Sequence, residues 1–517
     1  MGHFDIDRRR FLALGGAAGI AAALSGGVPR ALAGGLSGTS LAMLPTQAPS
    51  NWKAVLEKAN AALKAEHGFT MNAQFINWSN YGQQVLLKFT AGAAFDSALQ
   101  ALWLNMAQLQ QDGALADLTG QIDKWPNLKA QIAPRLIESN SWNGKLWGIP
   151  QVNSAARIQH FSIRQDLAEK YGFGEISDYE TLERFFYAVK QKSDGVIPYA
   201  MVSNSTWLYA VPTPTGMFNQ HSWENPSSMQ YLFAGSGLRF LFAKDAATTG
   251  SSHPLPFWEN DGVIDALRRI RKYYQDGIVN ADGMNADRAT VDSQFQAGRF
   301  ASNWAMTDGT ASNQLVNLER NVPGARLAQV LPFGKPLTAI RPVQTFQADN
   351  MVVVNASRGD VDRAMALQDW LSVRANHDLL AYGIEGTDWE AVGENGIKQL
   401  SRYAFPGYAL LWRAGLERRS SFMTESESKV FDWAQDYDNF TADTFASFVP
   451  DVRPVREAAA AMNNVIIQYA NPLFFGVADV DTQLDKLKRA ADAAGLAVIQ
   501  AEMERQGNAY LAARRKL

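Results

Sequence analysis

Fourteen tryptophans stand in this 517-residue chain, and ten of them often lie beside Asn, Ser, Gly or Pro rather than in apolar runs. These are Trp78, Trp103, Trp142, Trp147, Trp207, Trp223, Trp258, Trp304, Trp389 and Trp412. An aromatic ring covers the apolar C–H face of a sugar, while neighbouring amides, carboxylates and guanidinium groups take its hydroxyls. Taken singly, any one of these rings is better read as part of a core. Trp78, Trp207 and Trp304 are the strongest candidates for stacking surfaces.

A second stretch with chemical character is Tyr382-Gly-Ile-Glu-Gly-Thr-Asp-Trp-Glu390. It follows a helix expected over about Asp360 to Leu380, where Ala364, Leu367, Trp370 and Leu371 share one face and Ser357 with Asp360 forms a capping-box pattern. Gly383 and Gly386 break that helix. The turn is expected to present Glu385, Asp388 and Trp389 in a short loop, open to a ligand.

Metal and nucleotide chemistry find little support. The histidines are His3, His67, His160, His221, His253 and His377, without ligand spacing, and no HExxH occurs. Asn280 to Asp292 has the composition of a calcium loop. Aligning Asp282-Gly283 with its fifth and sixth positions, however, puts Ile278 first and Ala289 twelfth, so a turn is the better reading. No phosphate loop, dinucleotide fingerprint or nucleophile elbow is present, and acidic pairs have no diagnostic spacing. The expectation is a protein without catalytic residues, metal or cofactor.

The charge balance, 48 basic against 51 acidic side chains, gives no case for nucleic acid or an anionic membrane surface. Cysteine is absent, so there is no disulfide, lipid-modified cysteine or cysteine-ligated iron–sulfur cluster. Asp7-Arg8-Arg9-Arg10-Phe11-Leu12 is close to the twin-arginine export pattern. An apolar run from Leu12 to Leu24 and the small-residue site Ala31-Leu32-Ala33 follow it. That run is shorter than the roughly 18 to 20 residues that span a bilayer. Residues 1–33 are therefore expected to be a signal peptide, giving a periplasmic or extracellular protein, and 34–49 a linker.

The elements that must position the candidate residues begin with helix 52–65, strand 69–78 and helix 81–89, an order suited to an α/β lobe with a largely parallel sheet. A strand within 95–103 and short helices divided by Pro126 and Pro134 follow. Asn143-Gly144 predicts a hairpin. An extended run from Pro150 to Ile163 is placed to enter a second lobe. Further helices are expected over 164–171, after a Ser177/Glu180 capping box, over 262–274 and over 291–297, with strands at 327–331 and 348–354. Phe333 to Gln347 is expected to cross between lobes. The region 199–250 suits loops around a cleft, and helices are expected over 448–470 and 480–511.

Four separated motifs carry a resemblance. Asn143-Gly144-Lys145-Leu146-Trp147-Gly148-Ile149-Pro150 resembles the Asn-Gly-Lys-x-Tyr-Gly-Ile-Pro segment of extracellular solute-binding proteins of carbohydrate ABC importers. Phe295-Gln296-Ala297-Gly298-Arg299-Phe300-Ala301 resembles their Phe-x-x-Gly-Lys-x-Ala element. Tyr382 to Gly386, and Ala494-Gly495-Leu496 with the later Gln506-Gly507-Asn508-Ala509-Tyr510-Leu511, are similar to the lipoprotein-like branch related to oligosaccharide binders. The lipid-attachment cysteine common in that branch is missing.

The resemblance implies a two-lobed periplasmic-binding-protein fold, type II-like, with an interlobe hinge and a helical C-terminal region. Lobe one is expected near 50–153 and 348–400, and lobe two near 157–345 and 401–517. The function implied is capture of an oligosaccharide or modified sugar between the lobes, by a monomer, for delivery to the transmembrane subunits of an ABC permease. Trp78, Trp207 and Trp304 would stack on the ligand, and Asn77, Asp96, Asn153, Glu385 and Asp388 would bind hydroxyls. Arg341 would pair with an acidic substituent where the sugar carries one. The alternatives are a secreted glycosidase or lyase, and a peptide or amino-acid receptor on the same scaffold.

Overall fold

A computed structural model describes residues 36–156, 158–203, 227–231, 239–243, 249–306, 310–331, 334–344 and 346–514. Its first sheet has five strands in the order Thr70–Ile76, Thr39–Pro45, Ser97–Gln100, Asn350–Val354, Ile149–Gln151. Thr39–Pro45 corrects the expectation of a linker over 34–49. The flanking Gly, Ser and Thr suggested a loop, yet Ala42, Met43 and Leu44 are all buried, as a strand covered on both faces requires. The sheet is also less parallel than expected. Thr39–Pro45 runs parallel to both neighbours, whereas Asn350–Val354 is antiparallel to both of its own.

Helices cover this sheet largely where periodicity places them, including Trp52–His67 and Trp78–Thr90. The helix expected over Asp360 to Leu380 is two helices, Val361–Trp370 and Arg374–Tyr382. Its cap is Asp360, whose carboxylate accepts from Arg363 N at 3.0 Å. Ser357 is instead held in a turn on Asn355 Oδ1. Likewise Asp178, not Ser177, caps Tyr179–Lys192 by accepting from Thr181 N. In both cases a carboxylate nearer the first turn is the cap, and the amide it accepts from lies further along the chain than the one the hydroxyl was expected to take.

The second sheet has three antiparallel strands in the order Ser302–Met306, Gln159–Arg164, Leu327–Val330. Its core gathers Phe161, Ile163, Phe185, Phe186, Leu267, Ile270, Met462, Leu487 and Ile499, so the C-terminal helices pack into the same body as residues 161–301. The segment 448–470 turns helical only at Arg456, after a short turn containing Pro454, and 480–511 is broken at Gly495, whose φ is 92°.

The first core takes Met43, Val55, Leu99, Ile149, Val353 and Leu367, and also Tyr403, Ala409, Leu410 and Leu411. Residues 401–411 thus pack with the first body rather than with the second. A smaller cluster of Ala156, Ile158, Ile340, Phe346, Trp433, Ala434 and Phe440 joins the segments that pass between the two cores.

Candidate functional site

The carboxyl ends of strands Thr70–Ile76 and Ser97–Gln100 lie at the edge of the first sheet where Asn350–Val354 begins, since Met351 pairs with Gln100. In α/β sheets this edge is where loops form sites. Asn77 follows the first of these strands and caps helix Trp78–Thr90. Its Oδ1 accepts from Ser79 N and Ser79 Oγ, both at 3.0 Å. The cap holds Trp78 at the first helical position, with 38% of its surface exposed.

Three more rings join it. Trp78 and Tyr408 are near-parallel, with centroids 6.1 Å apart and planes at 10°, and Trp103 lies 5.8 Å from Trp78 at 39°. Tyr408 meets Trp412 edge-on at 5.8 Å. The indole N–H groups are committed inside the protein, Trp78 donating to the Tyr408 hydroxyl at 2.9 Å and Trp103 to the Asp349 carbonyl at 2.7 Å. Both rings are therefore fixed in orientation, and they offer apolar surface outward. Trp103 is 47% exposed. Burial pushes the Tyr408 hydroxyl up to about 12, so it stays protonated at neutral pH.

Behind this edge sits Arg413, only 1% exposed. Its Nη1 donates to Gln151 Oε1 at 3.2 Å and to the Trp412 carbonyl at 2.7 Å, and its Nη2 to Gln368 Oε1 at 2.7 Å. Val152 forms a parallel bridge with Arg413. The guanidinium thus ties the segment leaving strand Ile149–Gln151 to the chain beside Trp412. Burial lowers its pKa to about 10, and it stays charged at neutral pH.

Asp96 does not belong to this edge. It precedes strand Ser97–Gln100, at the end away from Trp103. It is 2% exposed and holds Arg363 at two points, Oδ2 to Nε at 2.7 Å and Oδ1 to Nη2 at 2.8 Å. Its role in the structure is to fasten helix Val361–Trp370 to the sheet, which corrects its reading as a hydroxyl ligand.

Asp388 is corrected on similar grounds. It is 2% exposed and accepts from Asn51 Nδ2 at 2.8 Å, Ile384 N at 2.9 Å and Ser401 Oγ at 2.8 Å. Burial raises its carboxyl, but these donors more than offset that, leaving it below the usual range. Trp389 is buried and donates to the Gly383 carbonyl at 3.1 Å. A Cβ on Gly383, at φ 92°, would stand 2.6 Å from Asp388 Oδ2. Of the acidic pair in this loop only Glu385 is exposed.

Asn153 is 4% exposed on the segment leaving the first sheet, and its carbonyl accepts from Gln435 Nε2 at 3.4 Å. Arg341 is exposed and donates to the Ile340 carbonyl at 2.9 Å. Trp304 lies on the second sheet, partly buried, with the Arg288 guanidinium 4.4 Å from its ring. Trp207 lies outside the described residues. Among the described residues, the sequence candidates that lie side by side are therefore Asn77 with Trp78 at this edge and Glu385 with Asp388 in the turn. Trp103 and Trp412 were visible as rings in polar surroundings, and Tyr408 follows a Pro-Gly turn, but their meeting depends on the fold.

Among the described residues no group of three or more His, Asp or Glu side chains is placed to hold a metal ion. No helix among them is long and apolar enough to cross a membrane.

Residues 58–378 match the family described as bacterial extracellular solute-binding protein, and residues 444–512 match a domain of unknown function. A protein of Streptococcus pneumoniae serotype 4, named carbohydrate ABC transporter substrate-binding protein, is 24% identical over 480 residues, covering 90% of this chain and 89% of its own. Among solved structures, the N-glycan transport solute binding protein from Streptococcus pneumoniae matches with a TM-score of 0.74 at 20% identity, over 92% of this chain and 99% of the other. Its complex with Man5GlcNAc gives 0.67 at 21% identity, over 92% and 98%. An alginate-binding protein gives 0.62 at 14% identity, over 91% and 98%.

Proposed function

The chain belongs to the bacterial extracellular solute-binding proteins, and from that premise we propose that it captures an oligosaccharide between its lobes and hands it to the permease of an ABC importer. The observation that carries the choice of a carbohydrate is the aromatic edge of Trp78, Trp103 and Tyr408. Its rings are held by internal hydrogen bonds and expose apolar surface where the strands of the first sheet end. A pyranose ring stacks on such a surface, and Asn77 beside it supplies an exposed amide for a hydroxyl. The carbohydrate named for the Streptococcus pneumoniae relative supports the same choice.

No chemistry on the ligand is needed. Binding favours the closed arrangement because only there do both lobes touch the ligand. The protein acts as a monomer without cofactor, reaching the periplasm or cell exterior through the twin-arginine pathway. Removal of residues 1–33 would leave strand Thr39–Pro45 whole, which supports cleavage after Ala33. Glu385, Asn153 and Arg341 remain proposed contacts, as do Trp207 and Trp304.

The test is a thermal-shift screen of residues 34–517 with neutral and acidic oligosaccharides, Man5GlcNAc among them, and product analysis of every hit. A rise in melting temperature with the sugar recovered intact is the expected result, because only the folded state binds. Turnover would favour the glycosidase or lyase reading. A shift with peptides and none with sugars would favour a peptide receptor.

A further inference from the structure

The carboxylate of Asp292 gathers side chains from three elements of the second body. Arg288, one turn earlier on helix Arg288–Gln296, donates Nε to Oδ2 at 2.9 Å. Asn303 of strand Ser302–Met306 donates Nδ2 to Oδ1 at 3.3 Å, and Gln314 of helix Thr310–Asn321 donates Nε2 to the same oxygen at 3.1 Å. Each of the three then has a polar atom left over. Arg288 Nη1, Asn303 Oδ1 and Gln314 Oε1 are buried with no hydrogen-bond partner. Ser162 stands directly opposite both Asn303 and Gln329 in the sheet, hence on the same face, and its buried Oγ and Gln329 Nε2 also have none. Buried polar atoms are paired in the great majority of cases, so five in one place mark a position built for something more than packing.

Their chemistry selects the occupant. Asn303 Oδ1 and Gln314 Oε1 only accept, Arg288 Nη1 and Gln329 Nε2 only donate, and Ser162 Oγ does both. Asp292 already balances the Arg288 charge. An anion would meet two amide oxygens and a carboxylate, and a cation would meet the guanidinium. A hydroxyl, donor and acceptor at once, suits every member. The cluster also has an open side: the Arg288 and Asp292 side chains are 23% and 27% exposed and Trp304 is partly exposed, while Asn303 and Gln314, at 0% and 3%, form the floor.

We infer that Arg288, Asp292, Asn303, Gln314 and Ser162 form a subsite of the second lobe that takes hydroxyls of a neutral saccharide unit, with Trp304 at its rim. The inference rests on the receptor reading and narrows it: the sugar that meets this lobe is uncharged there. A uronate would bring its carboxylate against Asp292 and the two amide oxygens.

Ser162→Ala is the sharpest probe, because it deletes an oxygen that has no partner in the free protein. Residues 34–517, wild type and variant, are titrated calorimetrically with mannotetraose, cellotetraose and xylotetraose as neutral probes and with tetramers of mannuronate and galacturonate as acidic ones. The wild type is expected to bind a neutral probe. Ser162→Ala should bind it roughly tenfold more weakly while melting at the same temperature or higher. Gln314→Met, which keeps the side-chain shape, should weaken binding at least as much. Preference for a uronate tetramer overturns the subsite and leaves the receptor reading standing. Unchanged affinity in both variants overturns it as well. A lower melting temperature in Ser162→Ala with unchanged affinity would assign the five atoms to internal water, against the inference. A wild type that binds no saccharide of either kind overturns both readings together.

Discussion

The edge around Trp78 and the turn around Asp388 have the same ingredients, aromatic rings beside Asn, Asp, Gly and Ser, and the fold uses them in opposite ways. In the turn, the carboxylate faces inward and accepts three hydrogen bonds from its own chain, while Trp389 is buried beneath it. At the edge, the indole N–H groups point inward and the rings outward. A polar loop next to glycines satisfies itself wherever its amides lie within reach of a carboxylate. The indole N–H is bonded in Trp389 as well; what differs is that the rings of Trp78 and Trp103 stay partly exposed and keep apolar surface for a partner.

That contrast breaks if stability and binding do not separate between the two kinds of residue. The largest effect is expected at Asp96, whose removal leaves Arg363 without its buried partner. Asp96→Ala should cost about 3–5 kcal/mol in denaturant unfolding and leave ligand affinity of the folded protein unchanged. Asp388→Ala should cost about 2–3 kcal/mol by the same measurement, since Ile384 N and Asn51 Nδ2 lose their acceptor. Trp78→Ala should do the reverse. It should weaken oligosaccharide binding by about 2 kcal/mol, roughly thirtyfold, with little change in stability, because the ring is already well exposed.

The smallest expected effect is one of pH. His377 is fully buried between Asp378 and Glu417, with its ring nitrogens 3.2 Å from each carboxylate. Burial alone would lower its pKa, but the two hydrogen bonds and charges prevail and raise it. The folded form therefore holds the proton more tightly than the unfolded chain. This contribution is complete below about pH 6.5, the ordinary histidine value, and is lost as pH rises through the folded one. His377→Gln should flatten the fall in melting temperature over that range, and an unchanged slope would contradict the assignment.

Much of the fold was legible because periodicity reports burial. The apolar positions of Trp52–His67 and Asp261–Asp276 appear in the sequence at helical spacing, and Asn143-Gly144 specifies its hairpin with φ of 51° and 74°. Thr39–Pro45 was missed because a short strand covered on both faces has no alternation to show. The site was less legible. Residue type picked out Trp78, but Tyr408 lies 330 positions away and reaches it only through the packing of residues 401–411 onto the first core. Asp96 and Asp388 look like ligands in a sequence, since nothing local reveals Arg363 or Asn51 as their partners.

The most direct measurement is calorimetric titration of the Trp78→Ala/Trp103→Ala double variant, beside wild type, with whichever oligosaccharide stabilises the wild-type protein. An aromatic edge that holds the sugar predicts a loss of affinity of roughly a hundredfold or more with the melting temperature of the free protein nearly unchanged. Wild-type affinity in the double variant would contradict it and place the ligand elsewhere.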